Sequence, residues 1–218
     1  MGQNLSRRTV FKRGLLIAAA GVVPGVTSLA FGQSNEDPVV IIEGFAQDLF
    51  KLFGDLNGNS DRYGSRRQAL AAVVDERFAY KDMIETAAAV AVPDMTDQEL
   101  EKLHVLGRDL VVEFLLTFFV QYGPENGFVV HGLRTSRSGK RSRLETSVTA
   151  PGNNDVPIRW DLIQSDGRYY VYDVRVFGIS LIGDVTRAAE RGFGTGGMFL
   201  LFRTLDQRVK GLKRRYPD

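Results

Sequence analysis

The sequence predicts a mixed α+β domain, in which N-terminal helices pack on a curved antiparallel sheet of about four strands, with an apolar cavity between the layers and C-terminal helices after the sheet. Two observations predict this class. Apolar residues recur at helical spacing from about residue 38 to residue 121, and the period changes to two after Gly123-Pro124. Helical segments therefore come first and strands follow together, which is typical of α+β proteins.

Cap, glycine and proline residues predict where the first three helices begin and end. Asp37-Pro38 supplies a cap and a first-turn proline, and Asn57-Gly58-Asn59 ends the helix that begins there. A second helix is predicted over about 65–78. A third is predicted over about 81–92, where Pro93 stops it.

A fourth helix begins at the capping box Thr96-Asp97-Gln98-Glu99 and runs to about Gln121. Its second half, 110–120, contains one charged residue, Glu113, and is apolar on nearly every side. Such a helix is either buried or faces an apolar ligand. A membrane span is disfavoured because the run is shorter than the ~20 residues that a bilayer requires.

Four strands are predicted over about 127–137, 140–150, 156–165 and 168–177. Asp166-Gly167 is a two-residue hairpin turn between the last two strands. A regular hairpin there places Leu162 opposite Val171 and Trp160 opposite Asp173. We expect Gly178 to permit a bend after the last strand, and Ser180 to cap the next turn or helix.

Two helices close the chain, over about 182–191 and 197–213, and the segment 192–197 is predicted to be a glycine-rich linker between them. This segment lacks the Gly-Lys-Ser/Thr ending of a phosphate loop and does not follow a strand.

The N-terminus has the plan of an export signal. Arg7, Arg8, Lys12 and Arg13 precede an apolar run over 15–23, and small residues before Gly32 offer a cleavage site. Arg7-Arg8 resembles a twin-arginine signal. We therefore expect a signal peptide over residues 1–32, cleaved near Gly32, and a single periplasmic domain over residues 33–218.

Charge and composition exclude several functions. The first 32 residues hold four of the 28 basic residues and none of the 26 acidic ones, so residues 33–218 hold 24 basic and 26 acidic residues and carry a formal charge of −2. This balance does not favour nucleic acid as a partner. The chain has no cysteine, and neither His104 nor His131 has a second histidine at metal-ligand spacing, so we expect no metal site.

We also expect no catalytic residues. Gly178-Ile179-Ser180 is not a nucleophile elbow, because Ile182 stands where the motif has glycine. Asp173 is predicted to hydrogen-bond a loop or to pair with an arginine. The basic segment 134–143 and the C-terminal Lys210, Lys213, Arg214 and Arg215 are either solvated charges or docking sites for an acidic partner or an anionic lipid surface.

The end of the sheet resembles the MlaC-like family of periplasmic phospholipid carriers, also called toluene-tolerance or Mla-pathway proteins. The resemblance rests on the motif Tyr169, Asp173, Val174, Val176, Gly178, Ser180 and Leu181, and on an early helix with Arg66-Arg67-Gln68-Ala69-Leu70, Val74-Asp75-Glu76 and Phe78. It covers about residues 38–213. Two positions depart from the family: Phe177 stands where glutamate is common, and Tyr169 where tryptophan is common.

The resemblance implies a non-enzymatic shuttle that uses no cofactor and binds phospholipid as cargo. It implies exchange with an inner-membrane ABC transporter complex and with an outer-membrane lipoprotein–porin complex. Three alternatives remain open: a carrier of a hopanoid-type lipid, an exported hydrolase on an α+β cone that uses Asp173, and an interaction module with a filled core.

For the apolar lining of a lipid site we choose residues from the fourth helix and from one face of the sheet: Phe114, Leu115, Phe118, Val148, Trp160, Leu162 and Val171. This choice assumes that the face with Trp160, Leu162 and Val171 looks toward the helices. The opposite face would offer Ile163, Tyr170, Val174 and Val176 instead.

Overall fold

A computed structural model describes residues 37–54, 63–122, 128–135, 139–150 and 154–217. The predicted signal peptide and its cleavage site lie outside these residues and stay predictions. Within the described residues, the chain forms five α-helices: α1 Pro38–Gly54, α2 Tyr63–Arg77, α3 Tyr80–Ala87, α4 Asp97–Tyr122 and α5 Leu181–Lys213. In this part of the chain, no helix is both long enough and apolar enough to cross a membrane.

The predicted helix caps are confirmed. The carboxylate of Asp37 accepts the backbone N–H of Val39 at 2.9 Å. At the start of α4, Thr96 N–H donates to the Glu99 carboxylate at 2.9 Å, and Glu99 N–H donates to the Thr96 hydroxyl at 3.3 Å. The third helix ends earlier than predicted, at Ala87, because the chain enters a turn and then a short 3-10 helix, Val92–Asp94, that contains Pro93.

The strands form an antiparallel sheet in the order β1-β2-β3-β4-β5, with β1 Phe128–Thr135, β2 Arg141–Ala150, β3 Asn154–Ser165, β4 Arg168–Val176 and β5 Ile179–Ser180. The predicted α+β class, with helices followed by an antiparallel sheet, is confirmed. The two-residue strand β5 was not predicted. It pairs with the end of β4 through a tight turn at Phe177-Gly178.

The β3–β4 register is partly as predicted. Leu162 lies opposite Val171, but Trp160 lies opposite Val174 and Asp161 lies opposite Asp173. The prediction that Trp160 faces Asp173 is therefore wrong, because a β-bulge places one extra residue, Tyr172, in β4. The Tyr172 hydroxyl lies 2.7 Å from the Thr86 hydroxyl of α3.

The bulge also changes which side chains share a face. Trp160, Leu162 and Val171 face the helices as assumed, and Val174 joins them in the core instead of lying on the opposite face. Val176 packs against the same core. The ring of Phe45, on α1, lies 5.4 Å from that of Trp160 at nearly a right angle, which is a favourable edge-to-face contact.

The predicted glycine-rich linker is largely helical. Residues 192–195 continue α5, and only Gly196 and Gly197 leave helical geometry, Gly197 with a φ of 59°. The chain turns back at this corner and brings Leu201 close to Gly192, where an added Cβ would lie 3.1 Å from the Cα of Leu201. The predicted break between two closing helices is thus confirmed at Gly196-Gly197, but the linker is shorter than predicted, because residues 192–195 are helical and Gly192 allows close packing between helices.

Candidate functional site: an apolar groove beside the last strand

An apolar groove of about 360 Å³ opens where α4 and the second half of α5 meet the β4–β5 turn. The helix α4 contributes residues from its apolar second half, chiefly Phe114, Thr117, Phe118 and Tyr122. The strand end and turn contribute Val176, Phe177, Ile179 and Leu181. The end of α5 and the turn after it contribute Arg208, Leu212 and Arg215.

The wall from α4 exists because its apolar side chains extend beyond what the sheet covers. Phe114 is half-buried, whereas Phe118 is almost fully buried. The Phe118 ring contacts the rings of Phe119 and Tyr122, at centroid distances of 5.1 Å and 5.2 Å. Residues 114, 118 and 122 lie on one helix face, so they form a continuous aromatic wall.

The opposite wall is positioned by Asp173. Its carboxylate accepts the hydroxyl of Ser180 at 2.7 Å and the backbone N–H of Ile182 at 3.1 Å. The Ser180 hydroxyl in turn accepts the N–H of Gly183 at 2.9 Å, which caps α5 as predicted. Arg175 lies 3.3 Å from the same carboxylate. The predicted roles of Asp173, in bonding a loop and pairing with an arginine, are both confirmed.

The other motif residues complete this corner. Gly178 has a φ of 79°, and Leu181 is buried in the core. The Tyr169 hydroxyl donates to the carbonyl of Gly139 at 2.6 Å and so ties β4 to the β1–β2 connection. The motif residues therefore stabilise the connection between the end of the sheet and the start of α5.

Polar groups lie at the edge of the groove. Arg208 forms an ion pair with Asp184, and its burial lowers the pKa of its guanidinium. Arg215 is exposed, and within the described residues its side chain has no hydrogen bond or ion pair. Deeper in the groove, the buried Thr117 hydroxyl finds no hydrogen-bond partner in the same part of the chain. A buried hydroxyl without a partner is costly, so a ligand oxygen would be favoured there.

The sequence-predicted lining residues separate into two sets. Phe114 and Phe118 line the groove. The other five are buried in the core between helices and sheet: Leu115, Val148, Trp160, Leu162 and Val171. The Trp160 indole N–H donates to the Thr146 hydroxyl at 2.9 Å, so this polar atom is satisfied internally. The structure thus places two of the seven chosen residues at the groove and five in the core.

Sequence reasoning missed the contribution of α5 and of the turn. A signal was present, because Arg208 and Leu212 are four residues apart and share one face of the predicted last helix. What the spacing does not show is that this face meets Phe114 and Phe177, since that contact depends on the corner at Gly196-Gly197.

The outer face of the sheet holds a larger depression of about 570 Å³, in which charged side chains lie beside Leu162, Ile163 and Ile182. Its charges are mostly paired: Arg143 contacts Asp161 at 2.6 Å, and Arg175 bridges Asp161 and Asp173. The predicted basic hairpin tip lies at its rim through Arg134 and Arg141, whereas residues 136–138 of that tip lie outside the described residues.

The histidines take no part in a described site. His104 Nε2 lies 2.6 Å from a carboxylate oxygen of Glu85, which ties α4 to α3. The side chain of His131 lies outside the described residues. Across the described ranges, no group of three or more histidine, aspartate or glutamate side chains is arranged to hold a metal ion.

The fold and the groove together define an α+β domain with an open hydrophobic groove that has arginines at its edge. The chain belongs to the MlaC family: the family model described as MlaC protein matches residues 46–188. The predicted family resemblance is therefore confirmed. No curated protein matches the chain significantly in sequence.

The structure is similar to that of a phospholipid-binding protein from Ralstonia solanacearum, solved in complex with a phospholipid. The match has a TM-score of 0.67 and covers 79% of this chain and 97% of that chain, at 16% sequence identity. At this level of identity the similarity shows a shared fold.

Proposed function

We propose that this protein is a periplasmic carrier that binds phospholipid in the groove between α4, α5 and the β4–β5 turn. It would exchange lipid with an inner-membrane ABC transporter complex and an outer-membrane lipoprotein–porin complex. The observation that carries this proposal is an apolar groove edged by arginines in a MlaC-family chain. The phospholipid bound to the Ralstonia solanacearum protein of the same fold supports the choice of ligand.

The chemistry of the groove suits acyl chains. Each methylene group that leaves water contributes about 0.8 kcal/mol, so aromatic and aliphatic walls bind a chain without specific polar contacts. The volume of about 360 Å³ lies near the lower end of the ~300–1,000 Å³ that small-molecule sites span. A diacyl lipid would therefore require the side chains around the groove to separate, beginning with the half-buried Phe114.

The arginines favour a phosphate-bearing lipid over a hopanoid-type lipid. Arg215 is an exposed cation at the edge of the groove, and Arg208 is a second cation that Asp184 holds in place. Guanidinium groups form strong charge-assisted hydrogen bonds with phosphate oxygens. A hopanoid without an anionic group would leave this feature unused.

A hydrolase is disfavoured by the surroundings of Asp173. Both oxygens of its carboxylate accept hydrogen bonds, from Ser180 and from the backbone of Ile182. A general base needs an oxygen within reach of a substrate proton, and these two oxygens instead hold the corner between β4 and α5. A binding protein without catalytic residues fits this arrangement better.

The proposal is tested by a transfer assay, in which a fluorescent phospholipid moves from donor vesicles to acceptor vesicles in the presence of the purified protein. We expect the wild-type protein to accelerate transfer and the Phe114→Ser variant to lose at least about tenfold in rate, because a polar wall weakens chain binding. Phe199→Ser is the matched control, since Phe199 is 74% exposed and lies outside the groove. A wild-type protein that does not accelerate transfer would overturn the proposed function.

A further inference from the structure

The β4–β5 turn exposes two large apolar side chains next to each other. Among the described residues, six large hydrophobic side chains are exposed, and two of them, Phe177 and Ile179, flank Gly178 in this one turn. Their exposed fractions are 55% and 63%. Adjacent exposed apolar residues, unlike isolated ones, mark an interaction surface.

Backbone geometry does not explain why phenylalanine occupies this turn. Phe177 and Gly178 have φ angles of 50° and 79°, almost the same as the 51° and 81° of Asp166 and Gly167 in the preceding hairpin. Positive φ at both positions favours Asn-Gly or Asp-Gly, as at Asp166, and is strained for a bulky residue. Phe177 therefore carries a conformational cost that Asp166 largely avoids.

The surface next to the turn is basic. Arg215 lines the same groove as Phe177 and Ile179, and Arg214 precedes it at the end of α5. Two acidic groups on the same helix are already engaged, because Asp184 pairs with Arg208 and Asp206 pairs with Lys210. An apolar tip beside unpaired positive charge complements an anionic membrane surface, in which apolar side chains enter the interface and cations attract lipid phosphates.

We infer that the β4–β5 turn and the end of α5 dock this protein on an anionic lipid bilayer, with Phe177 and Ile179 inserted into the interface and Arg215 beside the lipid phosphates. This docking surface goes beyond the carriage of lipid and does not require the groove to be occupied. The ring of Phe177 packs edge-on against that of Tyr122, with centroids 5.9 Å apart, and docking accounts for the part of this strained residue that stays exposed.

The test measures binding of the purified protein to sedimented vesicles, made either of phosphatidylcholine alone or of phosphatidylcholine mixed with phosphatidylglycerol. We expect binding to the mixed vesicles, weakened at high salt. The double variant Phe177→Ser/Ile179→Ser should bind about tenfold or more less tightly. Arg215→Gln should lose about fivefold on the mixed vesicles and little on neutral ones.

Two variants serve as controls. Phe199→Ser removes a more exposed phenylalanine outside the groove, and Arg203→Gln removes an exposed arginine of α5 that does not line it. Both should bind vesicles like the wild type. The inference is overturned if the wild type does not bind the mixed vesicles, or if the controls lose as much affinity as the turn variants.

The two proposals fail separately. A wild-type protein that transfers phospholipid but does not sediment with vesicles contradicts only the docking surface. A protein that sediments with vesicles but neither transfers nor retains phospholipid contradicts only the proposed carrier function.

Discussion

The carboxylate of Asp173 and the hydroxyl of Ser180 are joined by a hydrogen bond of 2.7 Å, which closes the corner between β4 and α5. Through this bond one residue of the sheet fixes the first turn of the last helix, because Ser180 also caps that helix at Gly183. The groove wall formed by Val176, Ile179 and Leu181 depends on this corner.

Asp173→Asn should destabilise the protein by about 1–3 kcal/mol, because an amide presents a donor where the buried carboxylate accepts hydrogen bonds from Ser180 and Ile182. The free energy of unfolding is measured by urea denaturation. Asp155→Asn is the control, since Asp155 is exposed and accepts only the Thr149 hydroxyl among the described contacts. If Asp173→Asn lowers the free energy of unfolding no more than Asp155→Asn does, the hydrogen bonds of Asp173 do not stabilise the corner between β4 and α5.

Phe177→Asn should weaken vesicle binding while changing the free energy of unfolding by less than about 1 kcal/mol. Asparagine suits the positive φ of 50° at this position, which is followed by Gly178. This gain offsets the loss of the edge contact between the rings of Phe177 and Tyr122, whose centroids lie 5.9 Å apart. The two readouts are the free energy of unfolding and vesicle sedimentation. A large loss of stability together with weaker binding would show that Phe177 contributes packing rather than docking.

Glu113→Gln should cost about 3–5 kcal/mol in the free energy of unfolding, because it leaves the buried Arg67 guanidinium without its charged partner. Arg67 Nε lies 2.5 Å from the Glu113 carboxylate, and the same guanidinium donates to the carbonyl of Tyr216. This contact therefore ties α2 and α4 to the end of the chain beside the groove.

The matched control for the buried pair is Asp75→Asn. Asp75 and Arg108 approach to 2.6 Å, but their side chains are 44% and 33% exposed. Solvent screens an exposed pair, so this variant should cost no more than about 1 kcal/mol. Similar costs for Glu113→Gln and Asp75→Asn would show that burial does not set the strength of the Arg67–Glu113 contact.

Asp109→Asn should change the pH dependence of stability. Burial raises the pKa of Asp109, and the positive charges of Arg108 and Lys213 oppose this effect only in part. A carboxyl group whose pKa is higher in the folded state loses stability as pH rises from its unfolded value, about 3.9, through its folded value. The variant should thus be more stable than the wild type at neutral pH and equally stable near about pH 3. Urea denaturation at the two pH values measures the free energy of unfolding of both proteins. If the variant differs from the wild type by the same amount at both pH values, the expected effect of Asp109 is contradicted.

The sequence predicted correctly those features that depend on interactions between neighbouring residues. The capping box at Thr96 and the hairpin at Asp166-Gly167 lie where they were expected, because each needs only neighbouring residues. The helix-to-strand change of period after α4 predicted the layer order for the same reason.

Prediction from the sequence failed where contacts between residues distant in the chain determine the structure. The bulge at Tyr172 shifts the register of β4, and its hydroxyl contacts Thr86 on α3, which strand periodicity does not reveal. Glycine at 192 indicated a linker, yet it lies in a helix against Leu201. The groove shows the same division: Phe114 and Phe118 were chosen from α4, whereas Leu212 and Arg215 reach the groove through the turn of α5 at Gly196-Gly197, which no local pattern indicates.

Native mass spectrometry of the purified protein, followed by organic extraction and identification of the bound material, shows directly whether the groove holds phospholipid. We expect a protein mass raised by one phospholipid, recovery of that phospholipid on extraction, and loss of most of it in Phe114→Ser but not in Phe199→Ser. A protein that carries no extractable phospholipid, or that retains it equally in both variants, would contradict the claim that the groove beside the last strand binds the cargo.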